Sequence, residues 1–310
     1  MSEQPLSKKL LSAQHFLTLD DVSSSVLHNL VDRAIELKAL AYEGAIFEPL
    51  KNKSLAMIFS KSSTRTRVSF EVGMRQLGGG TLNLSPNDTQ IGRGEPIEDT
   101  ARVISSMVDG IMIRTDSHST VEKIAEYSSV RVINGLTDDF HPCQLLADMQ
   151  TLKELRGNVE GATIAWIGDG NNVCHSFMNA ARLFGFHLNI STPKGFEPKK
   201  SIIDANIAHV SLTNDPMAAA TQADVIVTDT WASMGQESEK EARQKAFEGF
   251  CVNSSLMQQA HQDALFLHCL PAYRGMEVTN EVIEGPQSAV FQEAENRLHA
   301  QKALLEYLLA

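Results

Sequence analysis

The chain has 310 residues, 43% hydrophobic and 21% charged, a balance that suits a folded globular protein and excludes a disordered one. That length exceeds what one hydrophobic core usually serves, so two domains are expected. A formal net charge of −11 excludes a general nucleic-acid or membrane-surface binder, and any anionic ligand must be held by locally placed cations and backbone donors.

From the N-terminus, "MSEQPLSKKLLSAQHF" lacks the apolar core of a secretory signal, and none is expected. Residues 54–60 ("SLAMIFS") read as a buried strand, and 68–77 as an amphipathic helix. Residues 83–96 are polar and turn-rich, a candidate mobile loop. Strands follow at 109–114 and 130–135, and 144–155 reads as one long helix, with a loop at 156–161. Beyond it, strands are expected at 162–169, 187–192, 224–229 and 265–271, with helical stretches at 176–184 and 218–221. Residues 293–309 read as a helix with Leu298, Leu304, Leu305 and Leu308 on or near one face. The β-α-β-α order predicts an α/β protein with parallel sheets and helices on both faces. The pattern pauses near the middle, which places a boundary between residues 1–149 and 150–310. No run approaches the roughly 20 apolar residues of a membrane helix. Four scattered cysteines, Cys143, Cys174, Cys251 and Cys269, form no CxxC pair, so reduced thiols in the cytoplasm are expected.

Five stretches carry candidate chemistry. "SSTRTR" (62–67) joins a strand's C-terminal end to a helix start, which puts Ser63, Thr64, Arg65 and Thr66 where free N–H groups and the helix dipole favour an anion. Arginine adds a planar fork that matches phosphate oxygens. An ordinary Ser/Thr cap with two solvated arginines would also account for the pattern. In "FHPCQLLAD" (140–148), Pro142 suits a first helical turn, so His141 and Gln144 can offer an imidazole and an amide to a carbonyl or amide group; a capping histidine and surface glutamine are the plainer alternative. "IGDGNNVCHS" (167–176) invites a dinucleotide reading, but the third glycine of the fingerprint would fall at Val173, which opposes it. Asn171 and Asn172 offer amides there instead. Asp229 in "TDTWASMGQE" (228–237) stands at a strand's carboxyl end, where an acid suits an amine; it could equally cap the next helix. "LFLHCLPA" (265–272) places Cys269 at another strand end. A buried core cysteine is the common case, yet Pro271 releases the carbonyls of His268, Cys269 and Leu270 to accept from an NH2 group. A cleft between two α/β domains would gather these groups.

Together and in this order, "SSTRTR", "FHPCQLLAD", "DTWASMGQE", "HCLPA" and "EAENR" (293–297) resemble the aspartate/ornithine carbamoyltransferase family over nearly the whole chain. "GDGNN", "DTWASMG" and "HCLP" resemble its ornithine branch. The resemblance implies a carbamoyl-phosphate-binding domain (1–149), then an ornithine-binding domain (150–310), with the last helix, about 293–310, returning to the first. It implies transfer of the carbamoyl group of carbamoyl phosphate to L-ornithine, giving L-citrulline and phosphate. It also implies a homotrimer whose sites are completed by the adjacent subunit, and no metal or organic cofactor.

Carried over by the resemblance, carbamoyl phosphate is met by Ser63, Thr64, Arg65, Thr66, Arg114, Arg297, and Gln90 from the neighbouring subunit. His141, Gln144 and the Cys269–Leu270 backbone meet its carbamoyl group. Asn172, Asp229, Ser233 and Met234 hold ornithine, with Asp229 and Cys269 near the attacking amine; Arg65, His141, Asp229 and Cys269 are the catalytic candidates. Ser60, Lys61 and Ser62 stand where many relatives carry an acidic–basic pair, and Arg93, Gly94 and Glu95 fall in the variable loop. Three other readings stay open: a different amine acceptor, a non-catalytic subunit that binds carbamoyl phosphate only, and a dinucleotide oxidoreductase.

Overall fold

The computed structural model describes residues 15–85, 94–231 and 240–310. Gln90, Arg93, Ser233 and Met234 lie outside them. The chain forms two compact units, Met1–Ala147 with Arg297–Ala310, and Asp148–Asn296. Both are α/β.

In the first unit a short 3-10 turn, Leu19–Asp21, precedes α1 (Ser24–Tyr42). Then come β1 (Ser54–Phe59), α2 (Thr64–Gln76), β2 (Gly80–Leu84), α3 (Ile97–Ser105), β3 (Gly110–Arg114), α4 (His118–Tyr127) and β4 (Arg131–Leu136). The sheet runs β2-β1-β3-β4, all parallel. β1 and β3 are buried along almost their whole length, which is why both read as continuous apolar runs and not as alternating ones. Ala56, Ile58, Ile111, Ile113 and Val132 pack with Val121 and Ile124 of α4 in one core cluster. The long helix α5 (Pro142–Arg156) starts in this unit.

The second unit holds β5 (Thr163–Ile167), α6 (Asn172–Phe184), β6 (His187–Ser191), α7 (Lys200–Asn206), β7 (Val210–Thr213), α8 (Pro216–Ala220) and β8 (Val225–Thr228). It continues with α9 (Lys240–Ala246), α10 (Ser254–Met257), β9 (Leu265–His268), α11 (Asn280–Ile283) and the start of α12 (Val290–Leu309). Its sheet runs β7-β6-β5-β8-β9, again all parallel. Ala165, Ile167, Ile226 and Phe266 from the strands pack against Trp231, Phe247 and Phe250, with the Trp231 and Phe247 rings stacked at 5.2 Å. Asn171 caps α6, and Gly185 ends it in the left-handed region at φ 75°, where a glycine carries no Cβ penalty.

Residues 297–309 of α12 belong to the first unit. Leu304, Leu305 and Leu308 are buried there, and Leu298 is half-buried. This is the C-terminal helix packing on the first unit that the family resemblance implies.

The structure corrects several expected boundaries. The turn-rich stretch 83–96 begins too early, because Asn83 and Leu84 pair with Met57 and Ile58 as part of β2; residues 86–93 lie outside the described residues. α2 starts at Thr64 with Ser63 as its cap, the helix start that "SSTRTR" marks, ahead of the amphipathic stretch 68–77. α8 starts at Pro216 and not at 218, because Asp215 accepts from Met217 and Ala218 N–H ahead of a proline suited to the first turn. β2 and β7 were not legible as strands. All four cysteines are free, and no described helix is long and apolar enough to cross a membrane.

Candidate active site

The first unit gathers one group of site residues. Ser63 leaves β1 in an extended conformation, φ −157°, and its Oγ accepts from Thr66 N–H at 3.3 Å. That bond satisfies one of the first-turn amides of α2, and a helix start of this kind favours negative charge. Arg114 is the last residue of β3, and its carbonyl accepts from Ser60 N–H at 2.8 Å, which sets the end of β3 beside the start of the Ser63 turn. Arg297, buried in α12, reaches the same place. Its Nη1 donates to Gln144 Oε1 at 2.7 Å and its Nη2 to Thr66 Oγ1 at 3.3 Å. Lys61, ahead of the motif, pairs with Asp116 and Asp138.

His141 begins α5, its carbonyl accepting from Gln144 N–H at 3.1 Å, and its ring is buried. Burial, and then the positive charges of Arg297, Arg114 and Arg65, hold the imidazole well below its usual range. His141 is therefore neutral at physiological pH and can hydrogen-bond a polarised carbonyl without adding charge. Cys143 behaves as core: burial pushes its thiol up to about 12, and its Sγ donates to the Asn134 carbonyl.

In the second unit the strand ends of β5, β8 and β9 supply the other group. β5 leads into Gly168, at φ 143°, and then Gly170. A Cβ on Gly170 would lie 2.6 Å from the Phe196 carbonyl oxygen and closer still to the backbone of Glu197 and Pro198. The "GDG" glycines thus serve a turn and a close backbone approach. Asn171 Oδ1 accepts from Val173 and Cys174 N–H, at 3.0 and 3.1 Å, while its Nδ2 donates to Asp229 Oδ2 at 2.7 Å. The Oδ1 of Asp229 accepts from Thr230 N–H at 2.7 Å and from the Cys269 thiol at 3.1 Å. Burial, then the negative charges of Asp229, Glu293 and Asp148, push the Cys269 thiol well above its usual range. It stands as a thiol and a hydrogen-bond donor to Asp229.

The turn after β9 is held by buried polar groups that sequence reasoning missed. His268 N–H donates to Glu293 Oε2 at 2.9 Å, and His268 Nδ1 accepts from Leu270 N–H at 2.9 Å. With Nδ1 accepting, Nε2 carries the proton and faces Glu277 Oε1 at 3.2 Å, which also accepts from Tyr273 N–H at 2.6 Å. Leu270 sits at φ 55°, ahead of a cis Leu270–Pro271 bond. Asp229, His268 and Cys269 bring one potential metal-ligating atom each within 4.8 Å of one another, yet both His268 nitrogens are committed and Cys269 holds its proton. Arg243 of α9 bonds Asp169 Oδ2 at 2.7 Å and the Trp231 carbonyl at 2.8 Å.

Of the residues singled out from sequence, the structure thus brings Ser63, Thr66, His141, Gln144 and Arg297 together, with the charges of Arg65 and Arg114 acting on His141. Thr64 is exposed at the start of α2. In the second unit it joins Asp229 to Cys269. Asn172 turns its Oδ1 to Val173 N–H at 3.0 Å, and it is Asn171 that touches Asp229. The signal for Asn171 was present, since an Asn before an apolar helical run is a cap; its second bond was not.

Comparison with known proteins gives the family of the chain. The family model described as "Aspartate/ornithine carbamoyltransferase, carbamoyl-P binding domain" matches residues 14–154, and that described as "Aspartate/ornithine carbamoyltransferase, Asp/Orn binding domain" matches residues 160–308. The ornithine carbamoyltransferase of Hydrogenovibrio crunogenus is 64% identical over 300 residues, 97% of this chain and 99% of that protein. That of Methylococcus capsulatus is 60% identical over 299 residues, 96% and 99% of the two chains. Among solved structures, ornithine carbamoyltransferase from Pyrococcus furiosus superposes with a TM-score of 0.93 at 47% identity, covering 96% of this chain and 98% of its own. The Burkholderia thailandensis enzyme gives 0.89 at 47%, with the same coverage. Similarity of this depth along both units settles the ancestry that the motifs suggested: the chain belongs to the aspartate/ornithine carbamoyltransferase family.

Proposed function

We propose that the chain transfers the carbamoyl group of carbamoyl phosphate to the δ-amine of L-ornithine, giving L-citrulline and phosphate, in arginine metabolism. The observation that carries this reading is Arg297, which bonds Thr66 at the α2 N-terminus and Gln144 beside a neutral His141. An anion seat, an amide and an uncharged imidazole thereby stand together, as an acyl phosphate of this kind requires.

The amine attacks the carbamoyl carbon, the C–N bond forms, and the C–O bond to phosphate breaks. Negative charge builds on the carbonyl oxygen and on the leaving phosphate. Fixed donors aimed at both lower the barrier without reorganising. Ser63, Thr64, Arg65, Thr66, Arg114 and Arg297 are assigned the phosphate, and His141 and Gln144 the carbamoyl oxygen and amide. The Cys269–Leu270 backbone accepts from the carbamoyl NH2. Asn172, Asp229, Ser233 and Met234 are assigned the α-amino and carboxylate groups of ornithine, with Asp229 and Cys269 near the δ-amine. That amine must shed a proton from a group whose unperturbed pKa resembles lysine's, about 10.4, so kcat/KM rises with pH; a flat profile from mildly acidic to alkaline pH contradicts the mechanism. No covalent intermediate is needed.

We further infer a cytoplasmic homotrimer in which Gln90 enters the adjacent subunit's site. The four free cysteines suit a reducing compartment. The open edge of β2, with Leu82 48% exposed, suits a subunit contact; light scattering should give three times the mass of one chain. The deciding experiment is a citrulline assay on the purified protein with carbamoyl phosphate and ornithine, with putrescine and N-acetylornithine as competing acceptors. Preference for ornithine over putrescine on the order of 10³-fold or more is expected, because partners for the α-groups would otherwise be left unpaired. Absence of carbamoylated product from ornithine overturns the reading.

A further inference from the structure

We propose that Asn171 is a positioning residue for the amine half of the reaction: it holds the carboxylate of Asp229 in the orientation that receives ornithine. The inference rests on the reading that Asp229 takes the substrate's amine.

The amide of Asn171 has one permitted orientation. Val173 and Cys174 N–H both point at its oxygen, at 3.0 and 3.1 Å, so the Nδ2 must face the other way. There it meets Asp229 Oδ2 at 2.7 Å. The helix start therefore dictates that a donor, and not an acceptor, is presented to the carboxylate. The backbone beneath is equally constrained, because Gly170 N–H donates to the Phe196 carbonyl at 2.8 Å and its Cα lies against the backbone of Glu197 and Pro198. Asp229 is gripped from three segments. Asn171 takes Oδ2, and Thr230 N–H and the Cys269 thiol take Oδ1. Of the three donors, Asn171 alone comes from the rigid start of a long helix. A carboxylate held on both oxygens presents its remaining lone pairs in one direction, and orientation of that kind governs how well a second charge is bound.

Capping alone would also explain an asparagine here, and the two roles separate by substitution. Serine and aspartate cap helices about as well as asparagine. Serine is too short to reach Asp229, and aspartate has no N–H to give and sets a second anion against it. N171S and N171D should therefore melt within about 2 °C of the wild type, while KM for ornithine rises on the order of 10- to 100-fold. KM for carbamoyl phosphate should stay within about threefold, and N171D should be the worse of the two because like charges repel. N171A, which loses the cap as well, should melt several degrees lower. Wild-type ornithine KM in both N171S and N171D shows a plain cap and overturns the proposal. So does an equal rise in both KM values. Failure of the parent reading takes the proposal with it but shows elsewhere: the wild type forms no citrulline, or D229N leaves the ornithine KM unchanged.

Discussion

Arg297 comes from the far end of the chain, and its guanidinium is spent on two neutral partners, Gln144 and Thr66. Of the charges that help hold His141 neutral, it acts most strongly. Replacing it with methionine, which keeps much of the volume, should cut kcat/KM for carbamoyl phosphate on the order of 10²- to 10³-fold, the usual cost of one preorganised donor, with a smaller effect on the ornithine KM. Steady-state kinetics on a folded variant decides it. His141 leads to a stability prediction. Held neutral to a pH well below the 6.5 of a solvated imidazole, it takes up its proton only after unfolding. The unfolded chain binds more protons between the two values, so stability rises with pH across that interval. The contribution is complete above about pH 6.5 and is lost as pH falls toward the depressed value. Melting temperatures from pH 8 to pH 5 should drop more steeply for the wild type than for His141→Gln; parallel curves contradict this. These roles were only partly legible in the sequence. A cap position and a strand end fix where His141 and Asp229 stand, but the neutrality of His141 arises from burial and then from three arginines that are distant along the chain and near in space. The thiol state of Cys269 likewise comes from burial and then from acids brought up by folding, Asp229, Glu293 and Asp148.

At the level of elements, what could be read depended on burial. Every strand foreseen is packed on both faces or covered at its edge. β4 and β9 close their sheets, yet β4 is bridged by Phe16 and β9 by Ser288, and both are buried along most of their length. β2 and β7 end their sheets among the described residues, β2 with no buried position and β7 with one, so "GTLNL" and "VSLT" carry no such run. Where a helix start was placed late, as at Asp215, the cap and first turn add little to the apolar period. Gly170 tests how far the start of α6 depends on one close approach. In Gly170→Ala the new methyl meets backbone atoms of 196–198, which cannot rotate away, so about 1–3 kcal/mol of destabilisation is expected from overpacking. Gly80→Ala is the control, since nothing lies within 4 Å of its would-be Cβ, and it should be neutral within about 0.5 kcal/mol. Denaturant unfolding of both variants compares them; equal midpoints would refute the close-packing role.

For the whole molecule, order along the chain and membership of a folded unit part company. The segment matched by the ornithine-side family model runs to residue 308, but residues from Arg297 onward belong to the first unit. The proposed phosphate seat therefore draws Arg297 from the last helix, which is synthesised after everything else it contacts. Those turns are also structural. Leu304, Leu305, Leu308 and Leu309 are buried, and a leucine methyl of Leu309 lies 2.9 Å from where a Cβ on Gly110 of β3 would stand. Lys302 Nζ donates to the Leu37 carbonyl of α1 at 3.4 Å, and Arg33 of α1 makes a two-pronged pair with Glu306 at 2.8 and 3.0 Å. Burial of one such leucine stabilises by about 1.5–3 kcal/mol, so the four together match a large part of the roughly 5–15 kcal/mol that keeps a domain folded. Ending the chain at Arg297 should consequently abolish the cooperative unfolding of the first unit, even though every assigned phosphate ligand is still encoded. Leu304→Ala, a gentler change, should cost about 2–5 kcal/mol while leaving Arg297 in place. Carbamoyl phosphate or a stable phosphonate mimic should then raise the melting temperature of Leu304→Ala, as ligand binding to a folded seat must, and leave the truncated chain unaffected. A truncated chain that melts like the wild type and still responds to the ligand would show that the helix is dispensable to the first unit.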